Sequence, residues 1–233
     1  YRQYTEWRPI AQVRRLTLGR HRGRFQHCMA SRIVITGAPA SGKSDFVERL
    51  KGVPAFAGFL FFDELARQLL IDNPDFRRDW LAFHLEIYRR QVDREARSAG
   101  RSFVTDRGTL DAFAFHPEAM SAVGTTIPLE YARYDAVIHL GAAAALGEAY
   151  YVTDEIRKES IKEALAIERA IRGVWGNHPA YRLLLAQQDY ELKYTEFLAA
   201  VEPLARRAGL DNHPAAASIQ KAKRYNIPGR ELL

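Results

Sequence analysis

Eight consecutive residues, Gly37-Ala38-Pro39-Ala40-Ser41-Gly42-Lys43-Ser44, carry the most specific chemistry in this sequence. They fit G-x-x-x-x-G-K-[ST]. Glycines at that spacing let the backbone bend until successive N–H groups face one anion. The helix that must follow adds partial positive charge at its N-terminus. A lysine in the seventh place reaches the β- and γ-phosphates of a nucleoside triphosphate, and the hydroxyl in the eighth ligates Mg²⁺. All eight residues are therefore candidate nucleotide contacts, with Lys43 also catalytic and Ser44 a metal ligand.

Two further clusters could complete a reaction. Phe103-Val104-Thr105 runs into Asp106-Arg107-Gly108. An acid at the tip of a strand beside such a loop holds Mg²⁺ through water, which is the expectation for Asp106. The planar fork of Arg107 suits a substrate phosphate or another anion, and Gly108 permits a tight turn. Phe61-Phe62-Asp63-Glu64-Leu65-Ala66-Arg67 places two acids just past another apolar run. Ligands of open α/β sheets sit beyond the carboxyl ends of the strands, so Glu64 is the candidate base or ribose holder, and Arg67 a substrate contact. The plainer alternative makes Asp63 a helix N-cap and Glu64–Arg67 a surface ion pair. Arg157, Lys158, Arg169 and Arg172 follow later. A lid bearing arginines would stabilise the charge of a transferring phosphoryl group; Arg157 is the catalytic candidate, while the others read as a solvated face.

These residues need a frame, and hydrophobic periodicity supplies one. Strands are expected over Ile33–Thr36, Ala55–Phe62, Ser102–Thr105, Tyr134–Leu140 and Tyr181–Ala186. Helices are expected over Lys43–Lys51, Asp63–Ile71, Asp79–Ala99, near Asp111–Val123, over Glu155–Val174 and over Tyr190–Ala208. Strand and helix alternate throughout, which argues for a parallel sheet covered on both faces. His84 falls in a helix and His139 in a strand, where packing is the simpler role for each.

The chain has 233 residues, 47% hydrophobic and 27% charged, with a formal net charge of +6. No apolar run approaches the roughly 20 residues of a membrane-spanning helix. A single cysteine, Cys28, excludes an internal disulfide, and a reducing cytoplasm is the expected location. The charge is local: residues 1–28 hold seven arginines and one acid, so the remainder is neutral. That basic stretch fits a transit peptide or a nucleic-acid-binding arm. Met29 just before the first strand offers another account, in which 1–28 is upstream-translated sequence. The expected division is a basic extension over 1–31, the folded domain over 32–208 and a tail over 209–233. Asn-Lys-x-Asp, Asp-x-x-Gly, H-E-x-x-H and G-x-S-x-G are all absent, which weighs against regulatory GTPases, zinc proteases and serine hydrolases.

In order along the chain, Ile33–Gly37 into Gly42-Lys43-Ser44, Glu64-Leu65-Ala66-Arg67, Phe103–Gly108 with Asp111 downstream, Tyr134-Asp135 and Trp175-x-x-His178-Pro179 resemble the AAA-type ATP/GTP-binding domain of the NadR/translocation-defect group, near nucleoside and nucleotide kinases. No arginine-finger or sensor region accompanies them, so a hexameric unfoldase is not implied. The resemblance implies a P-loop NTPase fold: three-layer α/β/α, a five-stranded parallel sheet and an inserted helical lid. It implies Mg²⁺ and ATP, with GTP admitted, and a small hydroxyl- or phosphate-bearing acceptor. Lys43, Ser44 and Asp106 would hold the Mg-nucleotide, with Glu64 and Arg107 facing the acceptor. A nucleotide-binding regulatory or adaptor protein with slow hydrolysis is the alternative.

Overall fold

The computed structural model describes residues 30–151 and 159–210, with side chains as far as 206. Ile33-Val34-Ile35 forms the middle of β1 (Arg32–Thr36), and all three side chains are wholly buried. β-branched residues suit a strand covered on both faces. Around it the sheet runs β2-β3-β1-β4-β5, every pair parallel. The other strands are β2 (Leu60–Phe62), β3 (Phe103–Asp106), β4 (Ala136–Leu140) and β5 (Tyr181–Leu184).

Alternation along β1 sorts the core into two layers. Ile33 and Ile35 face Phe46, Val47 and Leu50 of α1 (Lys43–Leu50) and Phe197 and Val201 of α8 (Tyr190–Leu210). Val34 faces the opposite way, onto Leu110 and Phe113 of α4 (Thr109–Phe113) and Ile171 and Trp175 of α7 (Ile161–Trp175). α3 (Trp80–Ala96) joins this second layer through Leu85 and Tyr88. α2 (Leu65–Asp72) follows β2, and the short helices α5 (Ala119–Ala122) and α6 (Ile127–Tyr131) lead into β4. The result is the expected three-layer α/β/α sandwich on a five-stranded parallel sheet.

Two expectations need correction, and one helix is additional. The second strand was expected from Ala55, but Pro54–Phe56 is a 3₁₀ turn, Gly58 takes a left-handed φ of 95°, and pairing begins at Leu60. Proline at the first turn position and glycine beyond it stop the apolar run from extending as one strand. The helix expected from Glu155 begins at Ile161, because Ser160 is extended and forms a reciprocal cap with Glu163. α6 was not anticipated. Residues 152–158, and with them Arg157 and Lys158, lie outside the described residues, as do 1–29 and 211–233.

Gly108 also serves a different purpose from the one expected. Its φ is −110°, open to any residue. A Cβ there would lie 2.7 Å from Cζ2 of Trp175 and 3.0 Å from Cγ2 of Val34. Close packing between α4 and α7, rather than turn geometry, requires glycine. Gly108→Ala should therefore destabilise the fold by about 1–3 kcal/mol, the usual cost of overpacking a tight core, measured as a lower urea midpoint with an unchanged slope.

Candidate functional site

The loop between β1 and α1 has the backbone its glycines suggest. Gly37 has φ 149° and Gly42 φ 86°. A Cβ on Gly37 would approach the Leu140 carbonyl oxygen to 2.4 Å, so only glycine fits. Ala40, at φ 59°, takes the left-handed conformation without that freedom. Ala38 and Ser41 are buried, Pro39 and Gly42 partly so. Lys43 is 7% exposed at the start of α1, and Ser44 is exposed beside it.

The register Ile35↔Asp106 puts the end of β3 next to this loop. Ser44 Oγ donates to Asp106 Oδ2 at 2.6 Å. The other carboxylate oxygen, Oδ1, is buried with no hydrogen-bond partner among the described residues. Burial drives the Asp106 pKa upward, Lys43 opposes that, and Glu64 adds to it. Lys43 shifts in the complementary sense: burial and the nearby Arg107 lower it, against the pull of Asp106 and Glu64. A hydroxyl and an under-satisfied carboxylate are hard oxygen donors suited to Mg²⁺, which keeps several waters and takes few protein ligands. The residues present fit that ion. A buried acceptor left without a donor also makes the site costly until something supplies positive charge.

The positive φ at this turn belongs to Arg107, not to the Gly108 that the sequence marks as the turn residue. Arg107 has φ 73°, although it is not glycine. Its N–H donates to the Ile35 carbonyl at 2.9 Å, and its own carbonyl accepts from Thr105 Oγ1 at 2.8 Å. Nε donates to Glu64 Oε1 at 2.8 Å and Nη1 to Asp111 Oδ1 at 3.2 Å. Burial disfavours the guanidinium charge, but Glu64, Asp111 and Asp106 outweigh it and raise the pKa above its ordinary value. Glu64 shows the converse: burial would raise its pKa, but Arg107 and Lys43 hold it at about 2.

The partner of Glu64 is thus Arg107, 43 residues away, and not Arg67. Arg67 is exposed and reaches Glu64 only through its field. Asp63 is exposed and accepts from Lys51 at 3.2 Å; the N-cap position of α2 belongs to Glu64. Arg169 and Arg172 are exposed on α7. His84 and His139 are indeed packed, and burial is the main cause that lowers each to about 4.

Two residues matter here that motif reasoning did not single out for a role. Asp111 is 4% exposed and accepts from Thr36 Oγ1, Arg107 Nη1, Gly108 N–H and Trp175 Nε1. Lys193, on α8, is 4% exposed and donates to the carbonyls of Ser41 and Gly141. Only the folded arrangement reveals either. Beside the loop lies a cavity of about 300 Å³ lined by Gly42, Ala143, Tyr150, Gln187 and Tyr190 among others.

A five-stranded parallel sheet with this loop after its central strand defines a P-loop α/β protein. The chain belongs to the AAA domain family, whose model matches residues 32–193. Among solved structures it is similar to a deoxyadenosine kinase from M. mycoides, determined with the products dCMP and dCDP bound. The TM-score is 0.52 at 12% identity, covering 74% of this chain and 99% of that one. At that identity the likeness is one of fold. No curated protein gives a significant match.

Two stability effects of opposite sign follow. Asp106→Asn removes a buried charge whose ionised form the site disfavours, so the unliganded variant should melt no lower than the parent, and higher if the neutral amide keeps the Ser44 bond; calorimetric melting checks this. Glu64 contributes stability that is fully present above its unfolded pKa of about 4.3. That contribution is lost as pH falls through its folded value of about 2. Glu64→Gln should therefore lower the urea midpoint at neutral pH, and the gap from the parent should close below about pH 4.

Proposed function

We propose that this chain is a Mg²⁺-dependent phosphotransferase. It would move the γ-phosphoryl group of ATP, with GTP admitted, to a small hydroxyl- or phosphate-bearing acceptor of nucleoside or nucleotide type. The observation that carries the reading is the meeting of two charged sets at the strand ends. Lys43, Ser44 and Asp106 form one; Arg107 with Glu64 forms the other. The fold shared with a deoxyadenosine kinase supports the same class.

In this reading the loop N–H groups and Lys43 hold the donor phosphates, and Ser44 and Asp106 hold the ion. Mg²⁺ would offset the negative charge on the β- and γ-oxygens. The cavity lined by Gly42, Gln187 and Tyr190 takes the nucleoside end of the donor. On the acceptor side, His84 stacks on Phe115 with centroids 5.1 Å apart and planes 19° from parallel. Phe115 and the neighbouring Trp80 leave 39% and 49% of their surface exposed, and His84 lies within the field of Arg107. A planar heterocycle would find an aromatic shelf there, with its hydroxyl or phosphate directed toward Arg107.

The Glu64–Arg107 pair gives the acceptor a task. A carboxylate held at about 2 is a weak base. If an incoming phosphate takes the Arg107 fork, Glu64 loses its main cation and becomes more basic beside the acceptor hydroxyl. Without such an acceptor the base stays suppressed. That same feature is what favours the second reading, a nucleotide-binding regulatory or adaptor protein with slow hydrolysis.

Asp106→Asn and Glu64→Gln, assayed side by side, separate these roles. Asp106→Asn should weaken Mg-ATP binding and reduce both acceptor phosphorylation and background ADP release. Glu64→Gln should spare binding and background release but slow acceptor phosphorylation, by about 10²-fold or more if it acts as base. A parent protein that phosphorylates nothing in a screen of nucleosides and nucleotides with labelled γ-phosphate would leave the regulatory reading in place.

A further inference from the structure

The phosphate loop is gripped by a side chain of α8. Lys193 Nζ donates to the Ser41 carbonyl at 2.9 Å and to the Gly141 carbonyl at 2.6 Å. One residue earlier, the Ala40 carbonyl accepts from Ala143 N–H at 3.2 Å. A trans peptide is planar, so its C=O and the N–H of the next residue point in opposite directions. Tying the Ala40 oxygen turns the Ser41 N–H away from Ala143. Tying the Ser41 oxygen turns the Gly42 N–H away from Lys193. Two successive donors of the loop are thereby aimed to the side opposite their braces. A cation on a carbonyl oxygen also polarises that peptide and strengthens its N–H as a donor.

The braces are themselves fixed. Ala142 N–H donates to Glu168 Oε2 of α7 at 2.7 Å. At Gly141 a Cβ would meet Ala186 N at 2.7 Å, so β4 and the segment after β5 close tightly there. Lys193 has carbonyl partners and no ion pair among the described residues. Burial is the main cause that lowers its pKa to about 8, with Glu168 acting in the other direction. At neutral pH it remains largely charged, against the loop carbonyl and in the lining of the cavity beside the loop.

We propose that Lys193 is a positioning residue for the phosphate cradle, aiming the Gly42 N–H at the bound anion by holding the Ser41 carbonyl. This rests on the reading that the loop binds a polyphosphate. Lys193 touches the loop and acts through Gly42; its removal leaves Lys43 and Ser44 in place while freeing the 41–42 peptide to rotate.

The test uses the full chain with inorganic tripolyphosphate and Mg²⁺, by titration calorimetry and by the Gly42 amide resonance. Lys193→Met keeps the apolar stem of the side chain, one atom shorter, but has no donor. Lys193→Gln keeps two N–H donors without the charge. Tripolyphosphate should bind the Met variant about tenfold or more weakly, the scale of losing one well-aimed hydrogen bond to a charged ligand, and the Gln variant less severely so. The downfield shift of the Gly42 amide proton on binding should shrink in step. A folded Met variant with parental affinity, or with the full Gly42 shift, overturns the assignment. Should the Met variant fail to fold, the Gln variant decides: parental affinity and an undiminished shift overturn it. A parent chain that does not bind tripolyphosphate at all overturns the nucleotide-binding reading and the assignment together, a result distinct from either variant's.

Discussion

One buried carboxylate, that of Asp111, ties together the parts on which the site depends. Its two oxygens take hydrogen bonds from the last residue of β1, from the side chain of Arg107, from the backbone at the start of α4 and from the indole of α7. A carboxyl group so far from water is tolerable only when its oxygens have hydrogen-bond partners. That requirement fixes four elements relative to one another. It brings Trp175 against Gly108, where no larger residue fits, and it holds the strained Arg107 backbone from its far end. The geometry at the tips of β1 and β3 is then a consequence of a satisfied core.

The charges at those tips form one coupled set, with two carboxylates side by side in it. Lys43 lies near Asp106, Asp106 feels Glu64, Glu64 pairs with Arg107, and Arg107 returns to Asp111. Two cations, Lys43 and Arg107, face three carboxylates there, so an incoming polyphosphate would have to displace part of the set. Asp106 is the member least well served, having one oxygen without a donor among the described residues. Arg107 is the member with two anionic partners and a conformation that costs of order 1–3 kcal/mol when adopted by a non-glycine residue. Such strain persists where surrounding bonds over-determine it, as the Ile35 and Thr105 contacts do here.

Much of this was legible from residue order. The Gly37–Ser44 loop, the strand before it, the helix after it, and Asp106 at the tip of an adjacent strand all follow from local patterns, because backbone conformation there is dictated by nearby glycines and β-branched residues. What could not be read depends on distance in the chain. Glu64 and Arg67 share helical spacing, yet Glu64 turns to Arg107 because the sheet places β2 beside β3. Gly108 looks like a turn residue until Trp175 is seen above it. Lys193 sits in an ordinary amphipathic stretch, and only the closing of α8 behind the loop gives it two carbonyls to hold. Asp111 was marked by resemblance alone, with no reason attached. The shortened β2 is a different kind of miss: apolar residues continued through Pro54 and Gly58, but the backbone did not.

The order of strands has a consequence for how such a chain comes to be folded during synthesis. Of the described strands β1 emerges first, but its neighbours are β3, beginning 71 residues after it, and β4, 104 residues after it; β2 pairs with β3. Distant pairings of this kind make folding slow, since loop closure must precede any reward from contact. The loop waits longer still, because one of the bonds shaping it comes from Lys193, near the end of the matched domain. A nascent chain therefore carries the complete binding motif long before it can use it. On the proposed function, polyphosphate would stabilise the finished protein by mass action, yet offer little help to the partly made one, which must reach α8 unaided.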